Sequence, residues 1–216
     1  MKRLEIVLFD LDGTLTDPGI GITNSAMYAL EKLGLPVPPR EELYEIIGPP
    51  LTDTFERLFG LKGDDIMRGV HLYREYYRDR GIYENEVYDG IPEALGALKE
   101  AGLKLAVATS KPDEYAKEII RHFGLEPYFY EVYGAAMDET RNKKEEVIAY
   151  ALRELGVSDP ETVLMVGDRA YDILGAAVFH MPSLGVLYGY GSEEELKNAG
   201  AVRTVRTARE LPEAIL

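Results

Sequence analysis

Three residues into the chain comes Leu4-Glu5-Ile6-Val7-Leu8-Phe9, a nearly continuous apolar run that stops at Asp10-Leu11-Asp12-Gly13-Thr14. A strand with one wet face alternates apolar and polar residues. A run apolar at successive positions is a strand covered on both faces, the habit of parallel sheets. Similar runs recur at Leu103 to Ala108, Thr162 to Val166 and Ser183 to Leu187, with a weaker one near Val132-Tyr133. Between these later runs lie helical patterns, at Ile91 to Ala101, Pro112 to Phe123, Lys143 to Leu155 and Arg169 to Phe179. Pro112 suits a first helical position, and Gly102, Gly124 and Gly156 each stand just past a helix end, where a left-handed residue is wanted. Ser192 with Glu195, and Thr207 with Glu210, fit capping boxes opening two short C-terminal helices. Strands alternating with helices predict an α/β fold built on a doubly wound parallel sheet.

Residues 16–84 break that rhythm, for they hold no convincing strand. Thr16-Asp17-Pro18-Gly19 reads as a turn, and Ile22 to Leu33 shows helical spacing. Glu41 to Ile47, Leu51 to Phe59 and Asp64 to Arg80 supply further helices, punctuated by Pro36, Pro38, Pro39 and Gly48-Pro49-Pro50. Tyr73, Tyr76 and Tyr77 read as core or interface residues of this insert. The 216 residues, about one and a half times the ~150 of a common domain, thus divide into an α/β core over 1–15 and 85–216 and an all-helical insertion over 16–84.

Cysteine is absent, which excludes a disulfide scaffold, a thiolate metal site and a cysteine nucleophile. The net charge of −14, without a basic stripe, argues against a nucleic-acid partner. Glu5 interrupts the first apolar run, which is too short for a signal peptide. No stretch approaches the ~18 apolar residues of a membrane span. The expected compartment is the cytoplasm, with no membrane partner, and the expected state a monomer or homodimer.

In open parallel sheets, ligands bind outside the carboxyl ends of the strands. The first strand ends in Asp10-Leu11-Asp12-Gly13-Thr14, the second in Thr109-Ser110-Lys111-Pro112 and the fourth in Gly167-Asp168, with Asp172 one helical turn on. Two carboxylates 4 Å apart repel by about 4 kcal/mol at an effective dielectric of about 20, so a cluster of them needs protons or a cation. Hard oxygen ligands, few of them from protein, favour Mg²⁺, which keeps waters and binds phosphate oxygens. The working expectation is a magnesium-dependent phosphoryl-transfer site. Thr109, Ser110 and the N-terminus of the following helix would hold phosphate oxygens, and a lysine would balance the remaining charge. Taken singly, each residue has an ordinary reading. Asp168 and Thr109-Ser110 could cap helices, Asp172 could be solvated, and Lys143 and Lys144 could belong to an exposed face. Their coincidence at separate strand ends favours the functional reading.

Asp10-Leu11-Asp12-Gly13-Thr14-Leu15, Val107-Ala108-Thr109-Ser110-Lys111-Pro112, a lysine at 143 or 144, and Val166-Gly167-Asp168-Arg169-Ala170-Tyr171-Asp172 resemble, in order, the four signature motifs of the haloacid dehalogenase-like superfamily. The first and last are specific together; the other two are weak alone. The helical insert and Ile47-Gly48-Pro49-Pro50-Leu51 resemble the cap and cap loop of its phosphoglycolate phosphatase-like branch. Gly185-Val186-Leu187-Tyr188-Gly189-Tyr190-Gly191 resembles a segment shared with that branch and with 5′-nucleotidase-like relatives.

The resemblance implies a Rossmann-like core with a helical cap, and a phosphatase acting on a small phosphorylated metabolite. Asp10 would be the nucleophile, forming an aspartyl-phosphate, and Asp12 the general acid and base. Asp10, the backbone carbonyl of Asp12, Asp168 and, through water, Asp172 would hold Mg²⁺. Thr109, Ser110 and a lysine would bind the phosphoryl group. Lys144, before a polar pair and an apolar stripe, fits the family register better than Lys143. Gly48, Pro49 and Pro50 would tune specificity. Asp89 stands where relatives often have proline, which reads as variation at a hinge. Dehalogenases and phosphonate hydrolases of the superfamily lack an aspartate two residues after the nucleophile. Its mutases often carry a cap histidine where this chain reads Ile20-Gly21-Ile22-Thr23. The expected activity is therefore phosphoglycolate phosphatase-like, with a 5′-nucleotidase as the main alternative and a sugar phosphomutase behind it. A receiver-like domain, or a retired phosphate-binding module, is the non-enzymatic alternative. A receiver would be shorter and lack the insertion; a retired module should have lost a carboxylate.

Overall fold

A computed structural model describes residues 2–138 and 140–216. In chain order the elements are β1 (Ile6–Phe9), β2 (Thr16–Asp17), α1 (Gly19–Leu33), α2 (Arg40–Leu43), α3 (Leu51–Phe59), α4 (Asp64–Tyr76), β3 (Glu86–Val87) and α5 (Ile91–Glu100). They continue with β4 (Lys104–Pro112), α6 (Asp113–His122), β5 (Val132–Ala135), α7 (Lys144–Glu154), β6 (Val163–Gly167), α8 (Ala170–Ala177), β7 (Ser183–Val186), α9 (Glu193–Ala199), β8 (Arg203–Val205) and α10 (Leu211–Ile215).

The main sheet is parallel, in the order β5-β4-β1-β6-β7-β8. Strand β1 sits between β4 and β6, with Phe9 opposite both Val107 and Val166. Val7, Leu8 and Phe9 are fully buried, as their unbroken apolar run requires. On one face, Leu8, Ala106 and Met165 pack with Val147, Ile148 and Ala151 of α7. The chain builds outward from β1 through β4 to β5, then returns to build β6, β7 and β8 on the other side. The order therefore reverses at β1, and the crevice such a reversal leaves opens at the carboxyl ends of β1, β4 and β6.

The chain forms two compact units, one running to Asp17 and again over Val87–Leu216, the other Pro18–Glu86. In the core, Tyr88 N–H donates to Leu15 O across 3.2 Å, where the chain returns. In the helical unit, α1 runs past the π turn that follows α4, and a Cβ on Gly21 would come 1.9 Å from Gly81 O. Tyr73 and Tyr77 are buried and stacked at 5.6 Å, while Tyr76 donates to Glu84 Oε1 at 3.1 Å. Gly48, Pro49 and Pro50 form the half-buried turn before α3, with Gly48 at φ 109°. Among the described residues, no helix is long and apolar enough to cross a membrane.

Several local expectations are corrected. Thr16-Asp17 is a short strand rather than part of a turn, and α1 begins at Gly19 rather than Ile22, with Pro18 as its cap. Pro112 ends β4 and caps α6 instead of occupying its first turn, because the strand runs on through Thr109-Ser110-Lys111. Strand β8 adds an edge that apolar patterning does not announce, since Val205 alone of its three residues is buried. The Ser192 cap forms, with Glu195 N–H donating to Ser192 Oγ at 3.0 Å. Its reciprocal half does not, because Glu195 Oε1 accepts instead from Arg169 Nε (2.9 Å) and Ala170 N (2.8 Å). Thr207 Oγ1 likewise bonds the Glu210 side chain rather than a backbone N–H. Gly102, Gly124 and Gly156 do adopt positive φ at helix ends. Asp89, exposed, pairs with Arg209 at 3.1 Å.

Candidate active site

Directly after β1 the chain folds into a tight loop. Leu11 O accepts from the N–H groups of Thr14 (3.2 Å), Leu15 (2.9 Å) and Thr16 (3.1 Å), and Gly13 N–H donates to Thr16 O at 2.8 Å. Leu11 and Leu15 are fully buried and anchor it. Gly13 is required twice over, because its φ is +81° and a Cβ there would lie 2.2 Å from Asp168 Oδ2.

Asp168, at the end of β6, is completely buried. It accepts from Thr14 Oγ1 at 3.3 Å and from Tyr190 N–H at 2.9 Å. Gly189 and Gly191 complete its enclosure, since a Cβ on either would strike Asp168 at 2.4 Å or less. Asp172, in the first turn of α8, folds back over Gly167 and accepts from Arg169 N–H at 3.1 Å. Carboxylate oxygens of Asp10, Asp168 and Asp172 lie within 4.8 Å of one another.

Lys144 is buried at the start of α7, its Nζ 2.8 Å from both Asp10 Oδ1 and Asp172 Oδ1 and donating to Ala108 O at 3.1 Å. Lys143 is exposed. On β4, Thr109 is buried, Ser110 half-buried, and Lys111 N–H donates to Thr109 Oγ1 at 3.2 Å. Lys111 Nζ lies 2.7 Å from Asp12 Oδ2. The core thus brings together Asp10, Asp168, Asp172 and Lys144, and sets Lys111 against Asp12. Gly48, Pro49 and Pro50 belong to the helical unit.

Burial dominates the electrostatics. It raises Asp168 well above the ordinary carboxylate range, with Asp172 and Asp10 adding to the effect. It pushes Asp172 up to about 6 against the pull of Lys144, and raises Asp12 against the pull of Lys111. For Lys144, burial opposes the charge, yet Asp10 and Asp172 outweigh it and hold the ammonium above its usual value. Asp10, Asp12, Asp168 and Asp172 face two ammonium groups, those of Lys111 and Lys144. Fully ionised, this set carries two uncompensated negative charges in a buried space. A divalent cation with a preference for hard oxygen donors fits both that charge and that donor set.

A family model described as haloacid dehalogenase-like hydrolase matches residues 7–186. The chain belongs to that family. This haloacid dehalogenase-like chain is 48% identical over 195 residues to a 5′-nucleotidase of Pseudomonas aeruginosa, covering 90% of this chain and 88% of that one. It is 41% identical over 213 residues to the tyrosine-protein kinase PtkA of Mycobacterium tuberculosis, covering 98% and 72%. Its fold matches the crystal structure of a predicted phosphatase from Clostridium acetobutylicum with a TM-score of 0.96, at 42% identity and 99% coverage of both chains. The protein is a haloacid dehalogenase-like phosphatase, a phosphoric monoester hydrolase.

The sequence pattern gives no partner for Lys111 and no contact for Tyr188 or Tyr190. Tyr188 Oη donates to Thr14 O at 3.0 Å, and Tyr190 supports both Asp168, through its N–H, and Asp17, through its hydroxyl. The strand period gives no signal for Lys111, because the β4–β5 register shifts between Ala108 and Pro112 and regular alternation is lost there.

Proposed function

We propose that this haloacid dehalogenase-like phosphatase hydrolyses a small phosphomonoester with Mg²⁺ through an aspartyl-phosphate on Asp10, with Pro18–Glu86 as its cap. The observation that carries this reading is the cluster of Asp10, Asp168 and Asp172 around Lys144 at the carboxyl edge of the sheet. Asp10 attacks phosphorus while Asp12 gives a proton to the departing ester oxygen. Water then attacks the aspartyl-phosphate and yields its proton to Asp12. The raised affinity of buried Asp12 for its proton suits the first role. Lys144 stabilises charge on the phosphoryl oxygens, and Thr109 and Ser110 donate to them. Asp10, Asp168 and the backbone carbonyl of Asp12 would hold Mg²⁺, with Asp172 in support, and the ion would neutralise the transferring group. Gly48, Pro49 and Pro50 remain the proposed specificity loop.

The identity shared with the Pseudomonas 5′-nucleotidase favours a nucleoside 5′-monophosphate over phosphoglycolate as substrate. Phosphate release is measured from nucleoside monophosphates, phosphoglycolate and sugar phosphates, with Mg²⁺ or with EDTA, in wild type and Asp10→Asn. Transfer from ATP to a tyrosine peptide is scored in the same panel, because of the mycobacterial relative's name. Release that survives both EDTA and Asp10→Asn refutes the mechanism; preference for phosphoglycolate refutes the substrate assignment.

A further inference from the structure

The Lys111–Asp12 pair lies beside the three-carboxylate cluster, and beyond the charge count above Lys111 has no part in the proposed reaction. Its side chains are 5% and 12% exposed, and the pairing is through Asp12 Oδ2 alone. The other oxygen, Oδ1, is buried without a hydrogen-bond partner. Leaving a buried acceptor unmet costs about 1–3 kcal/mol. Such a cost is sustained where the atom must meet a group that comes and goes.

The backbone that carries this lysine is closely held. Lys111 lies in β4, its N–H bound to Thr109 Oγ1. Gly134 of β5 approaches so closely that a Cβ there would be 2.7 Å from Lys111 O and 2.5 Å from Asp113 Cα. The backbone carrying Lys111 is therefore hemmed in on the side of β5.

We propose that Lys111 is a positioning residue for Asp12, fixing Oδ2 so that Oδ1 is kept for the proton exchanged with the leaving oxygen and then with water. The inference rests on the phosphatase mechanism above. In the first half the proton passes from Asp12 to the ester oxygen as the ester P–O bond breaks and the Asp10–phosphorus bond forms. In the second, water bonds to phosphorus, its proton returns to Asp12, and the Asp10 carboxylate leaves. Lys111 keeps its own protons throughout.

The test compares p-nitrophenyl phosphate, whose leaving anion needs no proton, with an n-alkyl phosphate, whose leaving alkoxide does. kcat/KM reports steps through ester cleavage. General acid catalysis contributes about 10²–10⁴-fold, so Lys111→Met should lower kcat/KM on the alkyl ester at least about tenfold more than on the nitrophenyl ester. Inhibition by inorganic phosphate should shift less than about threefold if Lys111 acts only through Asp12. In the Asp12→Asn background, Lys111→Met should cost less than about threefold more on either ester, as for residues acting as one unit. Lys111→Arg keeps the charge but displaces it, and should show a smaller split in the same direction, so it serves if the methionine variant fails to fold. Equal losses on both esters, weakened phosphate inhibition, or an undiminished effect in Asp12→Asn would each overturn the inference and leave the phosphatase mechanism standing. Full activity of Asp12→Asn would overturn both.

Discussion

Gly175 of α8 lets Lys144 of α7 through: a Cβ at Gly175 would come 2.9 Å from Lys144 Cγ and 3.2 Å from its Cβ. The contact is with the stem of the lysine, not its mobile end, so the helices or the side chain must give way. Gly175→Ala gains about 1 kcal/mol of helix propensity, against about 1–3 kcal/mol for overpacking a tight site. We expect a small net loss of stability in urea unfolding and a larger loss in kcat, because Lys144 Nζ is displaced from Asp10. An alanine variant with wild-type kcat would show that Lys144 tolerates the shift.

Lys144 is the cation placed between Asp10 and Asp172, and removing it leaves buried carboxylates facing one another. Lys144→Met should lower stability by about 3–5 kcal/mol in the absence of divalent ions, the usual consequence of breaking a buried pair. Added Mg²⁺ should recover part of that loss. Urea midpoints with and without the ion measure both effects, and an unchanged midpoint without metal contradicts the charge count of the site.

A ligand that binds only the folded chain stabilises it. Mg²⁺ at a hundred times its Kd should therefore raise the unfolding free energy by about 2.7 kcal/mol. Asp168→Asn should abolish that increment, and calorimetric titration of the same variant should show Mg²⁺ affinity lost. An undiminished increment would remove Asp168 from the proposed ligand set.

In the helical unit the most exacting contact is between Gly21 and the carbonyl of Gly81, with 1.9 Å left for a Cβ. Gly21→Ala should destabilise by at least about 1–3 kcal/mol, the cost of forcing atoms into a packed site. Thermal unfolding of the variant checks this, and an unshifted Tm would mean that the π turn moves aside freely.

The central strands were legible because burial on both faces leaves an apolar run, and the acidic motifs because they stand where such runs end. Strand β8 was not, since Arg203 and Thr204 remain accessible and one buried valine makes no pattern. Lys144 and Lys143 are chemically identical and adjacent; Lys143 is the exposed residue just before α7, whereas Lys144, the first residue of the helix, is buried. Lys111 stayed unread because its partner is 99 positions away in sequence, and nothing local marks a lysine as buried. The enclosure of Asp168 by Gly13, Gly189 and Gly191 is equally non-local, assembled from loops after different strands.

The hydrogen bond from Tyr88 to Leu15 O joins the two points at which the core gives up the chain and takes it back. With its margins stitched together by the core's own backbone, the intervening stretch is topologically a loop, and the entropy of closing a loop grows only slowly with length. Asp10, Asp12, Asp168 and Asp172 lie wholly on the core side of that stitch. A core closed in this way can carry inserts of different size and shape at little entropic cost, and under the proposed function a change of insert would alter the substrate while leaving the carboxylate cluster untouched.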